Sequence, residues 1–479
     1  MLLVGLGTAA LVAAGCGTSE SHGSAKRASS QTFVSRPDLR PPRVLVTTAA
    51  SGSEPGYIFL APKEGGRGGP LIVNDAGEVV WFHPIEGGEA ADFRVQQYRG
   101  RPVLTWWEGT EPTVGIGSGE FVIADSSYRR IAVVRPGHGL DGDLHEFVIT
   151  PRNTALLLAY HRVPHDLSSL GGPKDGYVFD SVVQEVDIES GRVLFEWRSL
   201  DHVDVAESAQ RIPARKASAA KPFDYFHVNS VNIDTDGNLL VSARNTHAVY
   251  KISRRSGAVI WTLGGRNGDF EMGRGTQFAW QHDARRLRDG TISLFDNSAI
   301  PKVADHSRAV VLRVDERARV ASLVRSYVHP LRLVSPHQGN AQPLSNGGFF
   351  VGWGGNPYFT EFSPTGRVLL DGRLAAGDSY RAYRFRWRGR PAERPAVAAR
   401  LSGDGALTVY ASWNGATDVA RWEVLTGRNP DELRLAATAE RQGFETTVTV
   451  DAAAPYVAVR ALAATGATLA TSRVIKPSR

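Results

Sequence analysis

Residues 224–252 read DYFHVNSVNIDTDGNLLVSARNTHAVYKI, with apolar Val231 and Ile233 alternating with polar Asn232 and Asp234. A two-residue period marks a strand buried on one face. Asp236-Gly237 supplies the turn that sends the chain back along residues 239–241. The pattern recurs in HEFVITPRNTALLLAYHR from His145, HDARRLRDGTISLFDNSA from His282 and HQGNAQPLSNGGFFVGWGG from His337. Each copy opens on a histidine, runs through an apolar strand, turns at Asn, Asp or Gly and returns. A further copy, FRVQQYRGRPVLTWWEG from Phe93, has the same shape without the histidine. The four histidines lie 82, 55 and 55 residues apart, the first interval being stretched by a polar insert over 202–222.

A second hairpin alternates with the first. Its six copies begin at Pro70, Gly119, Ser181, Ala248, Ala309 and Tyr358. The turns fall roughly 50 to 65 residues apart, the period of a four-stranded propeller blade. The pattern therefore predicts an all-β chain with a six-bladed β-propeller over 42–392. Residues 44–48 and 57–61 are expected to form the inner part of the first blade, with 379–387 returning to close the ring. An array of β-sandwiches is the plainer alternative, and it suits the strict alternation of two hairpins less well. Past Pro395 the composition turns to Ala and Thr. Residues 396–479 resemble a fibronectin type III or immunoglobulin-like sandwich, with Trp413 and Tyr456 as its expected core aromatics.

Composition narrows the partners. The chain has 479 residues, 50 of them glycine, and a formal charge of +6 with no block of Lys or Arg. Neither nucleic acid nor an anionic surface is implied. The single cysteine, Cys16, excludes an internal disulfide framework and a cysteine metal site. Residues 1–15 form a short apolar run ending in small residues directly before Cys16, which resembles a bacterial lipoprotein signal. The resemblance implies lipidation of Cys16, a flexible tether over 17–41, and export to the outer face of the cell membrane. An ordinary secretory signal is the alternative, because the run is too short to span a bilayer.

The repeats also carry the chemistry. In a propeller the innermost strands line a central channel, so one repeat position collects at one end of it. His145, His227, His282 and His337 share that position. Arg244 ends the return strand after His227, and Asn229 lies two residues beyond His227 on the same face. Folding alone does not require a histidine four times over. Neutral imidazole serves as nucleophile, base or metal ligand. Three or more histidines suit a metal, whereas a neighbouring arginine repels one and suits a tetrahedral oxyanion. The set favours transfer of an anionic group over metal chemistry.

HVNSVNIDTDGNLLVSARNTHAVYKISRRSGAVIWTLGG, FAWQHDARRLRDGTISLFDN and SPHQGNAQPLSNGGFFVGWG together resemble the bacterial arylsulfotransferase family over roughly 55–390. That resemblance implies sulfuryl transfer from a phenolic sulfate ester to a phenolic acceptor, with no nucleotide donor and no cofactor. It implies His282 as the transiently sulfated residue, His227 as sulfuryl-binding and acid/base histidine, and His145 as a further active-site histidine. Arg244 and Asn229 would bind the sulfuryl oxygens; His337 is added from the repeat geometry. Trp106, Trp107, Trp280 and Trp353 are candidates to stack on the aryl ring, and equally candidates for packing between strands. Two other readings stay open: a non-enzymatic surface propeller that binds an anionic or aromatic ligand, and a metal-dependent hydrolase or lyase.

Overall fold

The computed structural model describes residues 29–63, 68–212, 217–299, 301–402, 405–451 and 454–478. The expected signal and Cys16 lie outside them. Apart from 3-10 turns at Ser168–Leu170, Ser199–Asp201 and Val205–Glu207, the named elements are all strands. No helix of the described residues is long and apolar enough to cross a membrane.

Six sheets of four or five strands occupy residues 44–385, and none closes on itself. Five of them begin at an inner strand and continue outward through sequential hairpins. Those inner strands are Glu89–Tyr98, Phe147–Ile149, Val228–Ile233, His282–Arg286 and Asn340–Pro343. The sixth sheet joins distant parts of the chain, because Ser379–Phe385 pairs antiparallel with Tyr57–Pro62. All six outer hairpins expected from the sequence are present, from Leu71–Val73 with Val79–Phe82 to Tyr358–Phe362 with Val368–Leu374.

One strand expectation is corrected. Val44–Thr48 is not part of the inner half of the first sheet; it pairs with Val368–Leu374 as the outer strand of the preceding one. Its burial explains the placement. Only Val44 of the five residues is buried, whereas all but one residue of the inner strand Ser379–Phe385 are.

Inner strands bring unpaired backbone groups close together, and each such group needs a partner. Polar side chains supply them from one sheet to the next. Gln96 bonds both Phe147 O and Ile149 N at 2.8 Å. Tyr160 donates to Val228 O, while Ser230 Oγ and Asn232 Oδ1 accept from Ala284 N and Arg286 N. Asp283 accepts from Ala341 N, and Asn340 bonds Ala382 N and O. Tyr383 donates to Asp92 at 3.0 Å, which brings the cycle of six sheets back to its start.

An ionic cluster lies where these strands meet. Arg94, Arg285 and Arg381 face Asp92, Glu146 and Asp283, so the formal charges balance. Arg381 reaches Asp92 at 2.9 Å and Glu146 at 3.2 Å. Arg94 reaches Glu146 at 2.5 Å and Asp92 at 3.0 Å. Arg285 reaches Glu146 at 2.5 Å and Asp283 at 2.6 Å. Burial by itself would raise Glu146, but the three guanidinium groups outweigh it and hold the carboxyl at about 2.

Two further sheets follow. One contains Ala396–Leu401, Leu407–Ser412 and Glu445–Val450; the other contains Arg434–Glu440, Arg421–Gly427, Tyr456–Leu462 and Thr468–Thr471. They share a core of Val409, Val424, Val448 and Val459 around Trp422. The expected core aromatics are corrected. Trp413 packs only at the margin with its N–H on Glu393 O, and half-buried Tyr456 lies beneath Lys476. Trp422 shares the inward phase of Val424 along one strand, whereas Trp413 lies beyond the end of Leu407–Ser412.

Of the tether expected over 17–41, residues 17–28 lie outside the described residues, and part of the rest is packed rather than flexible. Phe33 rests on Phe444 at 4.2 Å, Ser35 N donates to Glu445 at 2.6 Å, and Leu39 is buried. Isolated apolar side chains in a Ser, Arg and Pro-rich stretch fix it, which average composition hides.

Removing one partner from a buried ion cluster leaves its counter-charges unpaired, at a cost of about 3–5 kcal/mol. Arg381→Met should therefore lower the unfolding free energy measured in urea by that amount. Arg130→Met, at a partly exposed pair with Glu108, should change it by less than about 1 kcal/mol.

Candidate active site

His145 lies two residues before Phe147–Ile149, His227 directly before Val228–Ile233, and His282 opens His282–Arg286. Three inner strands thus deliver their histidines to one end of the cycle. A cavity of about 490 Å³ opens there, lined among others by His145, His227, His282, His337, Arg244 and Lys63. One ring nitrogen each of His145, His227 and His282 lies within 4.8 Å of the other two. The His145 and His227 rings meet edge to face at 4.9 Å.

Local backbone strain sets these side chains. His227, Trp280, Asp283 and Gln338 have φ of 55°, 57°, 58° and 64°, the left-handed region that non-glycine residues seldom enter. The pairing of His282–Arg286 with Ile292–Asp296 skips between His282 and Arg285. Such a bulge lets neighbours leave the strict alternation of a strand. His282 accordingly reaches the cavity while Asp283 joins the ionic cluster.

Each of the three buried histidines is held through Nδ1. That of His282 lies 2.7 Å from Asn297 Oδ1 and 3.1 Å from Trp280 O. The Asn297 amide is itself oriented, since its Nδ2 donates to Ser335 O and Gln338 O. With two oxygen acceptors facing it, Nδ1 carries the proton, and Nε2 keeps the lone pair. Burial first, and then the Arg244 charge, push His282 well below the ordinary imidazole range. The ring is neutral at pH 7.

Carboxylates back the other two rings. Nδ1 of His145 lies 2.5 Å from Asp143, which also accepts from the Gly117 and His145 amides. Burial raises the Asp143 carboxyl to about 7, and burial, His227 and Arg381 together push His145 down. We place the proton of this pair on Nδ1, because two backbone N–H groups hold Asp143 as an acceptor. Nδ1 of His227 pairs with Asp224. In both rings Nε2 has no hydrogen-bond partner among the described residues.

Arg244 is anchored rather than loose. Its guanidinium donates to Asn245 Oδ1 at 2.8 Å and Pro336 O at 3.3 Å, and lies 4.8 Å from the centre of the Trp280 ring. His337 lines the cavity as an exposed ring whose nitrogens have no hydrogen-bond partner among the described residues. Asn229 is not at the cavity. Its Nδ2 donates 2.8 Å to Gln281 O, and its fully buried side chain braces the strand that leads into His282. The skip in pairing between Val228 and Ser230 removes it from the face of His227. Trp106, Trp107, Trp280 and Trp353 are each at most 2% exposed and none lines the cavity, so they act in packing. Trp280 also carries Arg244 on its face.

A family model described as arylsulfotransferase (ASST) matches residues 94–375, more than half of the chain. The chain belongs to the arylsulfotransferase family. The matched stretch contains all four histidines and Arg244. No curated protein matches the sequence. Among solved structures, a protein of unknown function from Bacteroides caccae aligns with a TM-score of 0.43 at 16% identity, covering 70% of this chain and 100% of the other. An inactivated virginiamycin B lyase from Staphylococcus aureus aligns at 0.35 with 9% identity, covering 78% of this chain and 96% of that one. A glutaminyl cyclase from Myxococcus xanthus aligns at 0.26 with 10% identity over 53% of this chain and 88% of its own.

Around this arylsulfotransferase-family cavity the sequence reading missed Asp143, Asp224 and Asn297. The first two had a local signal, an acidic residue two or three positions before a histidine. Asn297 had none, since it reaches His282 from the far end of the neighbouring strand. Lys63, directly after Tyr57–Pro62, also lines the cavity and is paired with Glu111 at 3.0 Å and Glu89 at 3.3 Å.

The tautomer is directly measurable. In a long-range ¹H–¹⁵N spectrum at pH 7, His282 should show a protonated Nδ1 and a bare Nε2. Asn297→Ala should broaden or reverse that signature, and a protonated Nε2 in the native chain would contradict the hydrogen-bond assignment.

Proposed function

We propose that the six sheets are the blades of a propeller, that the two C-terminal sheets form a supporting sandwich, and that the cavity transfers sulfuryl groups between phenols. The observation that carries the reading is the His282 ring. It is neutral, its Nδ1 is occupied, and its Nε2 lone pair faces a cavity beside an anchored guanidinium. Arylsulfotransferase chemistry belongs to the family as a whole; the route through His282 is our assignment.

In the first half-reaction the Nε2 lone pair forms a bond to the sulfur of an aryl sulfate. The S–O bond to the ring breaks, and its electron pair leaves with the phenolate. His227 and His145, each braced by a carboxylate, flank the leaving oxygen. Their Nε2 atoms are bare at rest, so one of them first takes up a proton from solvent and then gives it to that oxygen. Arg244 stabilises the sulfuryl oxygens as charge redistributes over them. The second half-reaction reverses the order. The acceptor phenol loses its proton to the same histidine, its oxygen attacks sulfur, and the N–S bond returns its electrons to His282. A phenol with a pKa near 10 leaves readily enough that modest proton assistance suffices. Asn229, behind the cavity wall, has no contact with the sulfuryl group in this scheme. Its part is to hold Gln281 and thereby the start of the His282 strand. His337, unpaired at the mouth, is placed to meet the substrate before it reaches Arg244. Export and anchoring through Cys16 complete the proposal, and radiolabelled fatty acid retained by native protein but not by Cys16→Ser would establish the anchor.

Intact mass after brief exposure to 4-nitrophenyl sulfate without acceptor tests the covalent step. The native chain should gain one SO3 unit and His282→Ala none. An adduct that persists in His282→Ala would move the carrier elsewhere, and absence of both adduct and nitrophenol would leave a binding propeller as the better reading. Arg244→Met should form the adduct on the order of 10²–10³-fold more slowly, as loss of one oxyanion-stabilising donor does.

A further inference from the structure

The three buried histidines have a second chemistry that does not depend on sulfuryl transfer. We infer that His145, His227 and His282 form a binding site for one divalent transition-metal ion of the zinc class.

Four observations lead there. One ring nitrogen of each residue lies within 4.8 Å of the other two. All three Nδ1 atoms are held by oxygens, from Asp143, from Asp224, and from Asn297 with Trp280 O. That leaves three Nε2 lone pairs facing the cavity in one tautomer. Metal-bound histidines show this same arrangement, the far nitrogen fixed by a carboxylate or carbonyl. Thirdly, Nε2 of His145 and of His227 has no hydrogen-bond partner among the described residues, and Nε2 of His282 has only a long one, 3.3 Å from Gln338 N. Little is lost when a metal takes their place. Finally, the cavity is large enough to leave a coordination position for water or an anion.

Distances and charge permit it. Zinc–nitrogen bonds of about 2.0–2.1 Å in a tetrahedral site put neighbouring nitrogens roughly 3.4 Å apart. A triangle no wider than 4.8 Å closes to that size through small side-chain rotations. Asp143 and Asp224 stand directly behind two of the ligands, and Asp224 Oδ1 is buried without a hydrogen bond. Lys63 is already neutralised by Glu89 and Glu111. Arg244 opposes a cation, but its guanidinium is tied to Asn245 and Pro336 O and lies over Trp280. Two carboxylates against one retained guanidinium leave the ligand set able to accept a doubly charged ion.

The ion and the sulfuryl group need the same Nε2 lone pair of His282. Loaded with metal, the protein cannot form the N–S bond; this consequence, unlike the binding itself, rests on the reading proposed above.

Cobalt(II) is the probe, titrated into metal-free full-length protein and followed by visible absorption and calorimetry. One ion per chain should bind, with the intense visible bands of a four- or five-coordinate nitrogen site, and zinc should displace it. His282→Gln and His227→Gln should each weaken binding at least 100-fold while near-ultraviolet circular dichroism remains native. Asp224→Asn should weaken it roughly 10–100-fold, the usual cost of losing a group that orients a ligand. His306→Ala, at a half-buried histidine that does not line the cavity, should leave it unchanged. No one-to-one complex, or one that survives both histidine variants, would overturn the inference. The mass assay on metal-free protein reads the other proposal separately. An SO3 adduct without cobalt binding would remove the metal site alone, and cobalt binding without an adduct would remove sulfuryl transfer alone.

Discussion

Three guanidinium groups and three carboxylates, sealed where six inner strands converge, impose the constraint on which the rest of the structure depends. Ion pairs in that setting lose most of their hydration, and their mutual attraction offsets the loss only when geometry is tight. Every inner strand contributes to meeting that condition. Asp92 and Arg94 come from one, Arg285 and Asp283 from another, Arg381 from the sixth. Glu146 enters just ahead of a fourth. Asn229 O and Val231 O accept from Arg381 and Arg285, and Ala341 N donates to Asp283, so the remaining two strands are tied in as well. A slip of one strand by a residue would withdraw a charge from the cluster and replace it with an apolar side chain.

The cavity end inherits its precision from this cluster through covalent neighbours. His145 precedes Glu146, and His282 precedes Asp283. Because Glu146 and Asp283 are fixed by arginines, the adjacent histidines have little freedom in where they start. The left-handed backbone at Asp283 is the local cost of turning two consecutive side chains to different tasks. What distinguishes the histidines is then decided by what stands behind each ring. A neutral amide and a carbonyl hold His282 without adding charge, which suits a ring that must stay unprotonated. Carboxylates hold His145 and His227, which suits rings that exchange a proton with a phenol.

The repeat architecture was legible because it rests on spacing. Hairpins of alternating apolar residues, closed by Asn, Asp or Gly, appear in the sequence wherever the structure has them, and the histidine at the head of four of them was visible for the same reason. Alternation failed at the bulges. Asn229 reads as sharing the face of His227, yet the skip before Ser230 turns it onto Gln281. Asp283, next to a cavity-lining histidine, is fully enclosed in the ionic cluster. Long-range partners left no trace either: Asn297, Arg94 and Arg381 are ordinary polar residues of strands until the cycle closes around them. Val44–Thr48 was misplaced because a short apolar run does not reveal whether one face is buried or both. Trp413 was expected in the core of the C-terminal sheets, whereas phase along the strand puts Trp422 there.

Arg244 remains the residue on which the choice of ligand turns. A free guanidinium in the cavity would follow any anion and repel any cation. This one is held by a side-chain amide, a backbone carbonyl and the face of Trp280, so its charge is fixed in position. A fixed positive charge beside the His282 lone pair lowers the proton affinity of the ring and stabilises an oxyanion delivered to it. Both effects favour sulfuryl chemistry at the same atom. The carboxylates behind His145 and His227 pull the other way, toward a positive occupant on the opposite side of the cavity. The site is thus polarised across its width, and a tetrahedral anion bonded at His282 with a proton donor opposite satisfies both halves at once.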